Sequence, residues 1–178
     1  LNEESTNECA FRFRRKDYFM GRWLKRAQLY PSWFVRFFRP DKIRYERLLN
    51  PVAIVDGDIG ELDGHLIHYP FSHGVSHWIN RHNNYSDMEA KEALSVHKDK
   101  NIHWGECLSS DPNVRRRCLK DIFFVLPGRP LIKFIHYYFI RLGFLDGLPG
   151  FYYCVLQSFY EFMILIKTKE MRYIEKEN

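Results

Sequence analysis

The sequence predicts an α+β fold, and three observations carry that prediction. Apolar and polar residues alternate through the first third of the chain, Gly-Asp pairs divide the strand-like runs, and from Ser72 onward the apolar residues recur at helical spacing. Strands followed by helices, rather than interleaved with them, is the α+β order. At 178 residues with a hydrophobic fraction of 46%, the chain can bury one real core.

Taken in order, "AFRFRRKDYF" (10–19) sets Phe11 and Phe13 on one face and Arg12 and Arg14 on the other, the alternation of a strand. "GRWLKRAQLYPSW" (21–33) reads as an irregular connector around Pro31, and "FVRFFRPD" (34–41) as a short strand ended by Pro40. "VAIVDGDIGELDGHLIHYPF" (52–71) holds two more strands, for three or four in all. In the helical part, "SDMEAKEALSVHK" (86–98) reads as a capped helix, because Ser86 stands three residues before Glu89. "DPNVRRRCLKDIFFVL" (111–126) starts another helix behind Asp111 and Pro112. Residues 129–144 form a third and 148–176 a long fourth. The division expected is a strand region, 1–71, and a helical region, 72–178.

Composition narrows the function. The net charge of +5 is modest and spread along the chain. Its strongest cluster, "VRRRCLK" (114–120), lacks the recognised module or adjoining aromatics that a nucleic-acid reading needs, so nucleic acid is not an expected partner. Cys9, Cys107, Cys118 and Cys154 form no C-x-x-C pair, which suggests reduced thiols in a cytoplasmic setting. The opening Leu1 and the early strand suggest a chain that begins inside a larger protein. Residues 151–166 are nearly all apolar, but Gln157 and Glu161 share one helical face, which is too polar for a membrane span. Lys133, His136 and Arg141 among aromatics and aliphatics suit a membrane interface, and two ordinary core helices are the plain alternative.

The five histidines of "HLIHYPFSHGVSHWINRH" (65–82) do not read as one zinc site. His65 and His68 are three apart on a strand and point to opposite sides, His73 and His77 belong to a helix start, and no cysteine lies nearby.

Three stretches together resemble bacterial family 2 glycosyltransferases, in the branch that builds lipopolysaccharide core and exopolysaccharide: "YFMGRWLKRAQLYPSWFVRFFRP", "DGHLIHYPFSHGVSHWINRHNNYSDMEA" and "RPLIKFIHYYFIRLGFLDGLPGFYYCVLQSFYEF". The resemblance runs from about Phe11 to Lys169. It implies that residues 1–71 are the C-terminal remnant of a GT-A catalytic domain, and that 72–178 is an acceptor- and membrane-associating region. The nucleotide-sugar half with its D-x-D carboxylates, which hold Mg²⁺ or Mn²⁺, would lie outside this chain. The acceptor implied is a lipid-linked saccharide or lipopolysaccharide core, met peripherally at the cytoplasmic face of the inner membrane.

Inverting transfer needs a carboxylate base for the acceptor hydroxyl and positive charge for the departing diphosphate. Pro51 stands where the resemblance implies that base, in "LLNPVAIVDG", so the chain is expected to be inactive alone. Glu46, Asp56 and Asp58 are the nearby carboxylates. Arg36 matches an arginine that clamps diphosphate or braces the base, with a solvated strand arginine as the plain reading. His68 matches a late metal-ligating histidine, with a hydrogen-bonded structural histidine as the plain reading. Trp78 and Arg81, on the helix that begins within the histidine stretch, are the acceptor-contact residues expected, with a packing helix and a solvent-exposed arginine as the plain reading. A non-enzymatic membrane-associated fragment or interaction module is the competing class.

Overall fold

A computed structural model describes residues 7–46, 52–99, 104–112, 114–115, 118–119, 122, 126 and 128–177. The alternation in the first third becomes a sheet organised around β1 (Glu8–Phe19). After it come β2 (Arg22–Trp23), β3 (Ser32–Phe38), β4 (Ile43–Glu46), β5 (Val52–Val55) and β6 (Asp58–His68). β1 pairs antiparallel with β3 on one side and parallel with β6 on the other, its register running from Glu8↔Asp58 to Asp17↔His68. β2 returns along the end of β1 through Met20 and Gly21, whose φ angles of 48° and 73° are both positive, as a two-residue type I′ connection requires. β4 and β5 form a separate antiparallel pair. The architecture is α+β, as the pattern predicts, but β1 and β6 are long strands and β2 and β4 carry too little alternation to be read from sequence.

Three helices lie whole among the described residues: α1 (Gly74–Asp99), α2 (Arg129–Ile135) and α3 (Gly147–Glu177). The helix expected to begin at Ser86 is instead the second half of α1. Ser86 is fully buried and its Oγ donates to the Asn83 carbonyl at 2.6 Å, so it bonds backwards within the helix rather than capping a start. Only parts of the expected 111–126 helix lie within the described residues; those between Pro112 and Ile122 are helical, and the Arg115 amide donates to the Asp111 carbonyl at 3.0 Å. The expectation of four reduced cysteines is corrected for one pair. Cys107 and Cys118 form a disulfide with Cα atoms 5.3 Å apart, leaving Cys9 and Cys154 as thiols. A separation of 11 residues carries no sequence signature, and folding alone brings the two together.

Strands and helices share one core. Phe19, Leu24 and Ala27 from the β1–β2 end pack with Tyr153 and Cys154 of α3, and Phe71, Val75, Phe134 and Tyr137 close around them. Polar ties fix the helices to one another: Ser158 Oγ donates to the Pro130 carbonyl at 2.7 Å, and Lys167 Nζ reaches Asn83 at 2.8 Å and Asp87 at 2.6 Å. Glu161, the carboxylate that interrupts the apolar run, is buried and paired with Lys133 at 3.0 Å and Arg129 at 3.5 Å. Among the described residues no helix is long and apolar enough to cross a membrane.

"GFLDGLPG" (143–150) is a close-packed corner between α2 and α3. The Asp146 carboxylate is buried and accepts the amides of Arg26 and Ala27, each at 2.9 Å, which staples the β2–β3 connector to the corner. A side chain at Gly143 would lie 2.5 Å from the Tyr137 carbonyl oxygen, and one at Gly150 would collide with the Gly143 carbonyl and lie 2.7 Å from Asp146 Cβ. Backbone occupies the space at both positions, so only hydrogen fits. Gly150→Ala should therefore destabilise the protein by about 1–3 kcal/mol, the usual range for overpacking. Urea unfolding checks this, and an unchanged midpoint would show that the corner opens freely.

Candidate functional site

The row of β1 side chains that faces α3 changes chemistry along its length. Arg15, Asp17 and Phe19 alternate onto the same side of the strand, since residues two apart share a face. Phe19 continues into the core, and Asp17 sits beside it, 1% exposed. A buried carboxylate must be paired, and this one has two partners. Arg15 Nε donates to Asp17 Oδ2 at 2.9 Å, and His68 Nδ1 lies 2.5 Å from Asp17 Oδ1. Parallel pairing of β6 supplies the histidine, because the register sets Asp17 directly opposite His68. From the far side Tyr153 of α3 closes over the cluster; burial, with Tyr137, Asp17 and Cys154 nearby, pushes its phenol well above the ordinary value.

This arrangement orients an imidazole. Asp17 accepts, so Nδ1 of a neutral His68 carries the proton and Nε2 carries the lone pair. The side chain is 43% exposed, so that nitrogen belongs to a ring which reaches the surface while its other edge is held by a buried carboxylate. A carboxylate-oriented imidazole can ligate a metal or accept a proton. Among the described residues no three His, Cys, Asp or Glu side chains converge on one point.

The other expected residues are not brought to His68. Arg36 is exposed on β3, its Nη1 donates to the Val35 carbonyl at 3.2 Å, and its guanidinium lies 5.6 Å from the Phe34 ring. Its neighbours in register are Phe11 and Arg12, five to six residues along β1 from Asp17, or about 18 Å at the usual strand rise. Asp58 begins β6 and His68 ends it, which separates them by about 33 Å on the same rise. Asp56 pairs with Lys42 at 3.4 Å and Glu46 with Arg44 at 3.5 Å. Pro51 lies outside the described residues.

The histidines disperse as their spacing predicts. His65 Nε2 meets the Tyr30 hydroxyl at 2.8 Å, His68 meets Asp17, and the His73 and His77 rings stand 5.0 Å apart at the start of α1. His82 stacks on Trp78 at 3.6 Å and its Nδ1 donates to the Trp78 carbonyl at 2.8 Å. Trp78 is 2% exposed between His82 and Phe71, so it packs the core and presents no surface, whereas Arg81 is exposed with its guanidinium 6.0 Å from the Tyr85 ring. These two residues do not form one binding surface.

Asp17 is the residue that sequence reading misses. Its signal is an acid, with Arg15, on the same parity as Phe11, Phe13 and Phe19, where a solvated charge is out of place.

A second feature lies on α2 and the start of α3. Leu131, Ile140 and Leu148 are 62%, 69% and 67% exposed, with Phe139, Phe144 and Leu145 between them also on the surface. The Lys133 ammonium and the Arg141 guanidinium flank the Tyr137 ring at 5.2 and 4.1 Å. Exposed apolar area of this extent normally marks an interaction surface.

No family model, curated protein or solved structure matches the sequence.

Two outcomes are expected. Asp17→Ala leaves Arg15 without its buried counter-charge and should cost about 3–5 kcal/mol in chemical unfolding; a loss under about 1 kcal/mol would mean that water already reaches the cluster. Burial holds His82 below its ordinary value of 6.5, with Arg81 lowering it further and the Trp78 carbonyl opposing. The folded state therefore resists protonation more than the unfolded chain does. Stability from this group is complete above pH of about 6.5 and declines as pH falls below it. Thermal unfolding from pH 7 to 5 should show a shallower decline in His82→Phe than in the parent.

Proposed function

We propose that this chain is the acceptor-side portion of a glycosyltransferase working on a lipid-linked saccharide or lipopolysaccharide at an anionic membrane surface, with α2 and the start of α3 resting on the bilayer. The observation that carries the reading is the exposed apolar face of Leu131, Phe139, Ile140, Phe144, Leu145 and Leu148 beside Lys133 and Arg141. Apolar side chains enter the headgroup boundary while flanking cations meet anionic lipid, and the contact is peripheral because it needs no span. The cytoplasmic face of the inner membrane is where such an enzyme would meet both a nucleotide sugar and this acceptor.

In this reading the donor half, with its nucleotide sugar and divalent metal, comes from elsewhere. His68, oriented by Asp17, is the group of this chain suited to meet that half, and Arg36 serves a separate part of the strand surface. A non-enzymatic membrane-binding module is the second reading; the distance between His68 and the carboxylates Asp56 and Asp58 favours it.

Co-sedimentation with vesicles tests the proposal. The chain should pellet with phosphatidylglycerol vesicles at low ionic strength, and less so with phosphatidylcholine or added salt. The double variant Phe144→Asp, Leu148→Asp should stay in the supernatant. Indifference to lipid overturns the membrane contact, whereas metal-dependent binding of a UDP-sugar by this chain alone overturns the acceptor-side assignment.

A further inference from the structure

We propose that the groove beside Tyr137 is a seat for a single anionic phospholipid, its phosphate held between Arg141 and Lys133 and its first methylenes laid along Ile132, Ile135 and Ile140. This inference rests on the membrane contact proposed above and gives that contact a specific ligand.

The groove measures about 460 Å³ and is lined by these residues with His136 and Tyr137. That size lies within the range of small-molecule sites, roughly 300–1,000 Å³. Its chemistry is divided. Three isoleucines, each at least two-fifths exposed, make an aliphatic wall that water covers unfavourably. Two cations, Lys133 and Arg141, line the same groove, 5.2 and 4.1 Å from the centre of the Tyr137 ring.

Arg141 has no carboxylate within ion-pair distance among the described residues, so its positive charge is left for a ligand. Lys133 is already shared with Glu161 at 3.0 Å, and serves as the weaker half of the clamp. The excess of positive potential is felt locally: burial first, then Arg141 and Lys133, hold the His136 imidazole below its ordinary value. A ligand for this groove therefore carries a phosphate-like anion joined to a hydrocarbon tail. A free anion would leave the isoleucines wet, and a neutral lipid would leave Arg141 unanswered.

A backbone irregularity opens the groove. Residues His136–Ile140 form a π-type turn, in which the Arg141 amide reaches back five residues to the His136 carbonyl at 2.9 Å. Such turns displace side chains from the regular helical stripe and are often found at functional sites.

The test uses dihexanoyl-phosphatidylglycerol as a monomer, below its micelle concentration, with the intact chain. Titration followed by NMR or calorimetry should show saturable binding, stronger than for dihexanoyl-phosphatidylcholine and much stronger than for inorganic phosphate. Arg141→Ala should weaken it about tenfold, the loss expected for one charge-assisted hydrogen bond. Ile140→Ser, a change at a highly exposed position that leaves folding intact, should weaken it as well through the tail. Phosphate binding as tight as the lipid would overturn the seat in favour of a bare anion site. Vesicle sedimentation without binding of monomeric lipid would overturn the seat while leaving the broader membrane contact standing; failure of both would remove the two together.

Discussion

The buried carboxylate of Asp17 is the constraint around which the sheet and the long helix are arranged. A charge at 1% exposure survives only if its partners are present in good geometry, and here they come from two strands at once. Arg15 lies two residues back on β1, and His68 arrives through the parallel pairing of β6. A slip of one residue in that pairing would turn His68 to the opposite face and strand the carboxylate. The ion cluster thus specifies a register that the side-chain pattern of β6 specifies poorly, since that strand is mostly exposed at its first half. α3 then finds its place by covering the same face with Tyr153 and Cys154.

From that point the rest of the helical part follows by close contact rather than by extended apolar stripes. The corner at Gly143–Gly150 brings backbone against backbone, and the Asp146 carboxylate fixes the 24–30 connector to it through two amides. Glu161 is answered by Lys133 and Arg129, so the one acid in the apolar run of α3 points into protein. With Glu161 paired inward, the hairpin turns a largely apolar surface outward, which is the reverse of an ordinary amphipathic arrangement.

Much of this is legible in the sequence because periodicity is a local property. β1, β3 and β6 and the helices at 129–144 and 148–176 stand close to where alternation and helical spacing predict them. What is not legible depends on contacts between distant residues. Ser86 and Glu89 have the spacing of a capping box, but a helix that already runs from Gly74 absorbs them, and Ser86 turns its hydroxyl to Asn83. The Met20–Gly21 turn lacks the usual Asn-Gly signal, so β2 passes for connector. Trp78 has the look of a surface aromatic beside Arg81 until Phe71 and His82 close on it. For the site, His68 is visible as a residue, whereas its partnership with Asp17 depends on a strand pairing across 51 positions of sequence.

The π-type turn at His136–Ile140 gives the hairpin a length dependence. One residue in a regular helix corresponds to about 100° of rotation, so a chain shorter by a single residue here could close the turn into ordinary helix. Arg141 would then stand three rather than four residues beyond Tyr137, still on its face, while the wider turn beside the ring would be gone. The groove is in that sense a property of spacing rather than of composition. A homologous chain with a one-residue deletion between 136 and 140 would keep the apolar hairpin and its cations and lose the widened turn beside them.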